Sequence, residues 1–498
     1  MRLSSIINII PDKELVNFKD LQINGVKNDS RKIKKGDIFI CLKGKNHDGH
    51  RFINKAIENG AVAIISEEAK DLYTKEPVSL IIVPSTKKAY SLIAQKFYSN
   101  PAESLKLVGI TGTTGKTSVA YLTYKVINLI GKKASLIGTA GCYSLNNRLD
   151  IMLSGPVTTP EPMELNFLFN KFKKDGSKYV ILEASSFGLA EERLFGLSFD
   201  VTSLTNISFN HHINYHGSFN DYIESKTKLF AQTKKDGFSI LNRDSEYFEK
   251  FSTIHPKYIS YGSSINAEIK LEEFREVSNN EIFFKFSYDG KNYFIKSHIP
   301  GFYNAINILA SFGICIALGF DAEELISAFS SIDKIPGRWD LIKSTHPATI
   351  VVDKANTPIA IQSISGQINS CKYKKKIVVF GNVGGGDKEE RKLTAKFISN
   401  LFDNIILTTD DPEDEDPEIG FSDFLAGIEK EKQKNCIIEE DRGRAISKAL
   451  SMAGKDDIVV ILGRGNQREF LIKGRALDFD DTVETRKILI SQGFSIED

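Results

Sequence analysis

Gly109-Ile110-Thr111-Gly112-Thr113-Thr114-Gly115-Lys116-Thr117-Ser118 sets a glycine-rich loop, a lysine and a hydroxyl between an apolar run and a helical pattern. The run Leu105 to Ile110 reads as a buried strand. Gly112 and Gly115 let backbone N–H groups close around a polyphosphate, and the following helix points the positive end of its dipole at the anion. In the G-x-x-x-x-G-K-T arrangement Lys116 reaches the β- and γ-phosphates and Thr117 holds Mg²⁺. Gly109 stands one residue too far from Gly115 for that pattern, so the expected core is Thr111 to Thr117, with Ser118 in the first helical turn. The plain alternative is an ordinary strand-turn-helix junction.

Outward from this loop, 498 residues with 41% hydrophobic content imply about three globular domains. A net charge of +1 offers no general attraction to nucleic acid or anionic membrane, so anionic ligands need local sites. Five scattered cysteines without C-x-x-C spacing suggest neither a disulfide framework nor a zinc site. No basic, apolar leader opens the chain and no apolar run approaches a membrane span; a cytoplasmic, non-inserted protein is expected.

Strand-like runs alternate with helical stretches in three blocks, which predicts an α/β fold of helix-covered parallel sheets. In the first block Asp37 to Leu42, Ala61 to Ser66 and Leu80 to Val83 read as strands. Ser99-Asn100-Pro101 breaks the pattern before the loop, and Ile335-Pro336-Gly337 opens a second linker. The domains are therefore expected at 1–100, 101–335 and 336–498. The last block carries strands at Thr349 to Asp353, Lys376 to Gly381, Asn404 to Thr408 and Asp457 to Leu462.

Tyr179 to Glu183 is a buried strand ending in a carboxylate, where an Mg²⁺ ligand beside a phosphate loop belongs. The alternative is a solvated strand-end glutamate. After the strand Val201 to Asn206 comes Asn210-His211-His212-Ile213-Asn214-Tyr215-His216-Gly217, a histidine cluster that supplies a supplementary metal ligand or packs in a turn.

Thr111 to Thr117, Glu183-Ala-Ser-Ser, Thr205-Asn206, Tyr215-His216-Gly217 and Lys226 resemble the central domain of the Mur ligases, ATP-dependent amide-forming enzymes of cell-wall precursor synthesis. Asn28-Asp29-Ser30-Arg31, Gly36-Asp37-Ile38-Phe39 and Gly44 to His50 are similar to the UDP-binding domain of the MurE-type branch. That branch adds the third residue of the muramyl peptide. The resemblance implies a central phosphate-loop domain and a Rossmann-like C-terminal domain. It implies ATP and Mg²⁺ as cofactors, a UDP-muramyl-peptide-like carboxylate and an amino acid or amine as substrates, and a monomer. The carboxylate is phosphorylated by ATP, and the amine then attacks the acyl phosphate. Domain closure excludes water from that intermediate. It further implies metal ligation by Thr117, Glu183, His211 or His212, and Lys226 as a carbamate, an unmodified surface lysine being the alternative. Asn304, Arg338 and Asp353 would contact the nucleotide. Ser30, Arg31, Thr158, Thr159, Ser185 and Arg193 would hold the UDP-sugar-peptide. Folate polyglutamate ligases share the ATP core, but the block before the phosphate loop argues against them.

Departures from the family pattern stand in the central block, where Ser-Ser-His-Ala-Leu reads Ser185-Ser186-Phe187-Gly188-Leu189 and Asp-His-Leu-Asp-Tyr-His-Gly reads His211-His212-Ile213-Asn214-Tyr215-His216-Gly217, and in the last block. The arginine of Gly-Asp-Arg-Asp is missing from Gly384-Gly385-Gly386-Asp387. Asp-Asn-Pro-Arg reads Asp410-Asp411-Pro412-Glu413, and Gly-Lys-Gly-His-Glu reads Gly463-Arg464-Gly465-Asn466-Gln467. Asp-Tyr-Ala-His-Thr-Pro becomes Asp353-Lys354-Ala355-Asn356-Thr357-Pro358. Replacing arginine by Glu413 exchanges a bidentate carboxylate binder for an acceptor-only anion, which disfavours meso-diaminopimelate. Asp411, Glu413 and Gln467 are thus expected at the amine site, where an acidic pocket suits lysine or another cationic amine; Asp414 to Asp416 form either part of it or a solvated loop. A MurE-like paralogue joining a different carboxylate and amine stays open beside lysine addition, as does a nucleotide-binding regulator that has lost ligation.

Overall fold

The computed structural model describes residues 1–498 except 45–47, 69–77, 152, 154–157, 209–215, 279–280, 371, 413–414, 473–474 and 498, with no side-chain description at 370, 469, 471, 472, 475 and 476. Among the described residues the strands form three large sheets of five, eleven and six strands and a small two-stranded ribbon.

The phosphate-loop strand, Lys106–Thr111, lies inside the eleven-stranded sheet between the parallel strands Tyr179–Glu183 and Phe199–Leu204. Its side chains alternate between faces, as a doubly covered strand requires. Val108 and Ile110 join one core with the helices Lys116–Leu129 and Phe302–Ala317, while Leu107 joins another with Pro162–Lys174 and Phe219–Phe230. Gly109 belongs to this packing. A Cβ there would stand 2.8 Å from Leu229 Cδ1, which explains a glycine out of register with the loop pattern.

The central sheet is mixed rather than wholly parallel. Ile269–Ser278, Glu281–Tyr288 and Lys291–Ser297 form an antiparallel meander on one side, joined by the parallel pairing of Tyr258–Gly262 to the first of them. Asp289 and Gly290, with φ of 50° and 72°, make the tight turn between its last two strands, a hairpin signal the alternation of Phe284, Phe286 and Tyr288 also carries. Gly141–Ser144 and Asn147–Arg148 add a second antiparallel edge.

The first sheet runs in parallel through Gly25–Lys27, Asp37–Ile40, Ala61–Ser66 and Ser79–Ile82, closed at one edge by antiparallel Glu14–Val16. The third is a parallel array of Thr349–Asp353, Ile458–Leu462, Lys376–Asn382, Asn404–Thr409 and Cys436–Ile438 with one short antiparallel edge strand, and separate apolar cores cover its two faces. The helix Thr86–Phe97 joins the first sheet to the central one. Lys87 Nζ pairs with Glu191 Oε1 at 2.7 Å, and Ser91 Oγ donates to Glu192 O at 2.6 Å. Among the described residues no helix is long and apolar enough to cross a membrane.

Candidate active site

Ligands of open α/β sheets bind beyond the carboxyl ends of the parallel strands. Three such ends meet here: the loop after Thr111, Glu183 with its successors, and Thr205-Asn206. The loop bends through Gly112 and Gly115, whose φ angles are 149° and 81°. A Cβ on Gly112 would fall 1.9 Å from Thr205 Oγ1, and one on Gly115 2.7 Å from Asn307 Oδ1. Neighbours hold the loop in place. Thr205 Oγ1 donates to Thr114 O at 2.5 Å, Thr114 N donates to Asn206 Oδ1 at 3.0 Å, and Thr113 Oγ1 lies 2.8 Å from the Tyr222 hydroxyl. Thr111 and Ser118 are buried beneath it.

Lys116 Nζ folds back on the loop and donates to Gly112 O and Thr113 O, each at 2.9 Å. Burial holds its ammonium down to about 8. Lys226 Nζ donates to the same Gly112 carbonyl at 2.9 Å and sits 4.4 Å from the centre of the Tyr222 ring. It is buried, not a surface lysine. Burial first, and the Lys116 charge second, push its amine well below the ordinary lysine range. Two lysine amines therefore converge on one carbonyl.

Glu183 is only 1% exposed, which removes the solvated alternative. Its Oε2 accepts from Thr117 Oγ1 at 3.0 Å and Thr139 Oγ1 at 3.2 Å, and its Oε1 accepts from Thr139 N at 2.7 Å. Arg338 crosses from the third domain and donates through Nη2 to Thr117 Oγ1 at 3.2 Å. The hydroxyl and the carboxylate are hard oxygen donors side by side at a helix start, a donor set that fits Mg²⁺. His211 and His212 lie outside the described residues. Among the described residues no group of three or more histidines, cysteines or carboxylates gathers as a metal site by itself.

The expected substrate residues form one cluster against Glu183. Thr158 Oγ1 is 2.9 Å from Thr139 Oγ1, and Thr159 Oγ1 donates to Glu183 O at 2.9 Å while accepting from Ser185 N at 2.9 Å. Arg193 donates to Thr159 O at 2.6 Å and pairs with Glu161, so its guanidinium braces the Thr158–Thr159 segment. Ser30 and Arg31 stand apart in the first domain. Ser30 is buried, whereas Arg31 is exposed with its guanidinium on Asp29.

Asn304 is buried, donating to Pro300 O at 2.7 Å and accepting from Asn307 Nδ2 at 3.2 Å. Asp353 accepts from Trp339 N at 2.6 Å and Ala355 N at 2.7 Å, which fixes the bend that aims Arg338 at Thr117. Burial raises its carboxyl above the ordinary range, against the pull of Arg338.

In the third domain Arg464, fully buried, donates to Asp410 Oδ1 at 2.8 Å and Asp411 Oδ1 at 2.7 Å, and Gln467 Nε2 donates to Asp411 Oδ2 at 2.7 Å. Asp411 thus shares the Arg464 guanidinium with Asp410 and accepts from Gln467. Glu413 and Asp414 lie outside the described residues. Asn466 Nδ2 reaches across to Ala140 O at 3.0 Å. Sequence reading missed Thr139, Arg464 and Asn466 as organisers of the site. Threonines and asparagines carry no spacing signal, and the partners of Arg464 lie more than fifty positions away.

Comparison with known proteins accounts for all three domains. Residues 110–315 match the Mur ligase middle domain, 337–465 the Mur ligase glutamate ligase domain, and 22–98 the Mur ligase family catalytic domain. The chain is 33% identical over 490 residues to a UDP-N-acetylmuramoyl-L-alanyl-D-glutamate–2,6-diaminopimelate ligase of Bacteroides fragilis, spanning 98% of this chain and 99% of that one. A solved structure of a ligase with that same name superposes with a TM-score of 0.65 at 26% identity, covering 99% of both chains. A MurF ligase from Thermotoga maritima, solved in complex with ADP, shares the fold with a TM-score of 0.63 at 20% identity, covering 95% of this chain and 99% of that one.

Proposed function

The chain belongs to the Mur ligase family of ATP-dependent ligases, and on that premise we propose that it adds an amine other than diaminopimelate, lysine first among the candidates, to UDP-N-acetylmuramoyl-L-alanyl-D-glutamate. The observation that supports ligation is the contact chain Arg338–Thr117–Glu183 beside the Gly112–Gly115 cradle, which joins the third domain to the phosphate loop. Residues 1–100 take the nucleotide end of the donor, 101–335 the ATP, and 336–498 the acceptor.

The donor carboxylate oxygen attacks the terminal phosphorus of ATP, and ADP leaves with the electrons of the broken P–O bond. The acceptor amine then attacks the acyl carbon, loses a proton, and phosphate departs with the C–O electrons. Lys116 swings from the Gly112 and Thr113 carbonyls to the phosphates and stabilises charge as it develops. Thr117 and Glu183 would hold magnesium, with Lys226 as a carbamate and His211 or His212 as further ligands; the ion supplies charge neutralisation on the phosphates. Thr158, Thr159, Ser185 and Arg193 orient the donor's peptide end, and Ser30 and Arg31 its uridine end. Asn304, Arg338 and Asp353 shape the nucleotide pocket.

The choice of acceptor rests on Gly386, Glu413 and Gln467, where arginines and a glutamate of the family pattern are absent. Without two guanidinium groups a second acceptor carboxylate loses its bidentate partners. The relatives' names speak for diaminopimelate in those proteins. A MurE-like ligase joining a different carboxylate is the second reading, favoured by the same substitutions. We place the reaction in the cytoplasm; among the described residues Cys41, Cys142, Cys315 and Cys436 form no disulfide.

The test is phosphate release and product mass with UDP-N-acetylmuramoyl-L-alanyl-D-glutamate and a panel of lysine, ornithine, meso-diaminopimelate and simple amines. A lysine adduct is expected. Preference for diaminopimelate overturns the acceptor assignment, and no turnover with any amine overturns this donor.

A further inference from the structure

The cleft where the third domain meets the phosphate loop holds one lysine ammonium that no described protein group binds. Lys354 follows the strand Thr349–Asp353. Its backbone N–H donates to Gly337 O at 3.1 Å, which seats it on the bend carrying Arg338. A Cβ on Gly465 would stand 2.9 Å from the Lys354 Cβ, so the Gly463–Gln467 loop flanks it on the other side. Four charged groups act on its partly buried ammonium: Arg338 most strongly, then Glu183 across the cleft, then Asp410 and Arg464.

Both carboxylates are already engaged, Glu183 by Thr117 and Thr139 and Asp410 by Arg464. Among the described residues the Lys354 ammonium makes no hydrogen bond and no ion pair. Lys116 and Lys354 both feel the Glu183 charge, while Arg338, which donates to Thr117, stands between Asp353 and Lys354. A lysine ammonium without a protein partner at the carboxyl ends of parallel strands is a group that a polyanion engages. Lysine is also a residue the family pattern does not carry at this position, so its charge is a property of this chain.

We propose that Lys354 grips the phosphoryl group in transfer, first as the terminal phosphate of ATP and then as the acyl phosphate, adding a cation from the third domain to those of the phosphate loop. This rests on the ligase reading given above. Lys354 forms no covalent bond: it donates hydrogen bonds to phosphoryl oxygens while the donor oxygen bonds to phosphorus and ADP leaves with the electron pair of the old P–O bond. When the amine displaces phosphate, the leaving group departs beside the same ammonium. Burial, with Arg338 next, holds that ammonium down to about 8, and an incoming phosphate raises it again.

A group that meets the γ- but not the β-phosphate separates an ATP analogue from ADP. Calorimetric titration of β,γ-methylene-ATP and of ADP, each with magnesium, into wild type, Lys354→Gln and Lys354→Arg reads this directly. The glutamine variant is expected to lose about 10- to 100-fold in analogue affinity while ADP affinity changes less than about twofold, and the arginine variant to recover most of the loss. Equal loss for both nucleotides assigns Lys354 to the support of the loop and overturns the proposal. Unchanged analogue affinity does so too, including the case in which amide formation alone slows. Wild-type protein that binds neither nucleotide overturns the ligase reading itself. Should the glutamine variant fail to fold, Lys354→Met carries the same comparison.

Discussion

Gly112 has space for a hydrogen and nothing larger, and that crowding fixes where the Gly112 carbonyl points: at two lysine side-chain nitrogens. Lys116 sits there through a pair of bonds that it must exchange for phosphate contacts. Lys116→Ala should raise the barrier to phosphoryl transfer by on the order of 4 kcal/mol, about a thousandfold in phosphate release; near-normal release would remove it from the chemistry. Lys226 has a buried amine pushed well below its ordinary value by desolvation and by Lys116. An uncharged amine is the form that reacts with carbon dioxide, so protein equilibrated with ¹³C-bicarbonate should show a carbamate carbonyl resonance that Lys226→Arg abolishes. A spectrum without it would leave Lys226 as a plain packing residue.

At the scale of elements, the ends of parallel strands in the third domain are tied by one buried guanidinium. Arg464 lies at 0% exposure between Asp410 and Asp411, and burial pushes the Asp410 carboxyl up to about 6 even with Arg442 and Arg464 beside it. Removing the cation alone strands two carboxylates away from water. Arg464→Met should cost about 3–5 kcal/mol and lower the melting temperature by roughly 10 °C, and adding Asp410→Asn and Asp411→Asn should restore part of it. An unchanged melting temperature would show that water reaches these carboxylates. The strand ends were legible because Val459, Val460 and Ile461 make an unbroken apolar run. The pairing was not, because Asp410 and Arg464 follow the strands Asn404–Thr409 and Ile458–Leu462, which the sheet sets on either side of Lys376–Asn382.

Across the whole molecule, the third domain meets the central one through Arg338 on Thr117 and Asn466 on Ala140 O. The second contact is buried, so losing it strands a carbonyl at a cost of about 1–3 kcal/mol. Asn466→Ala should leave each domain folded, enlarge the radius of gyration measured by X-ray scattering, and lower turnover several-fold. Identical scattering with full turnover would mean that the contact is incidental. The antiparallel meander of the central sheet shows a different limit on sequence reading. Its alternation and Asp289-Gly290 turn were present in the chain, yet βαβ periodicity elsewhere pointed to an all-parallel sheet.

By itself the sequence determined the phosphate loop, its strand and helix, and the α/β character of each block, because glycine positions and local apolar periods act over a few residues. Only the tertiary structure decided that Glu183 is buried on Thr117 and Thr139, that Asp410 and Asp411 share Arg464, and that among the described residues the Lys354 ammonium makes no hydrogen bond or ion pair. Those outcomes depend on charges meeting across long stretches of chain, where burial and geometry, not spacing, set the balance.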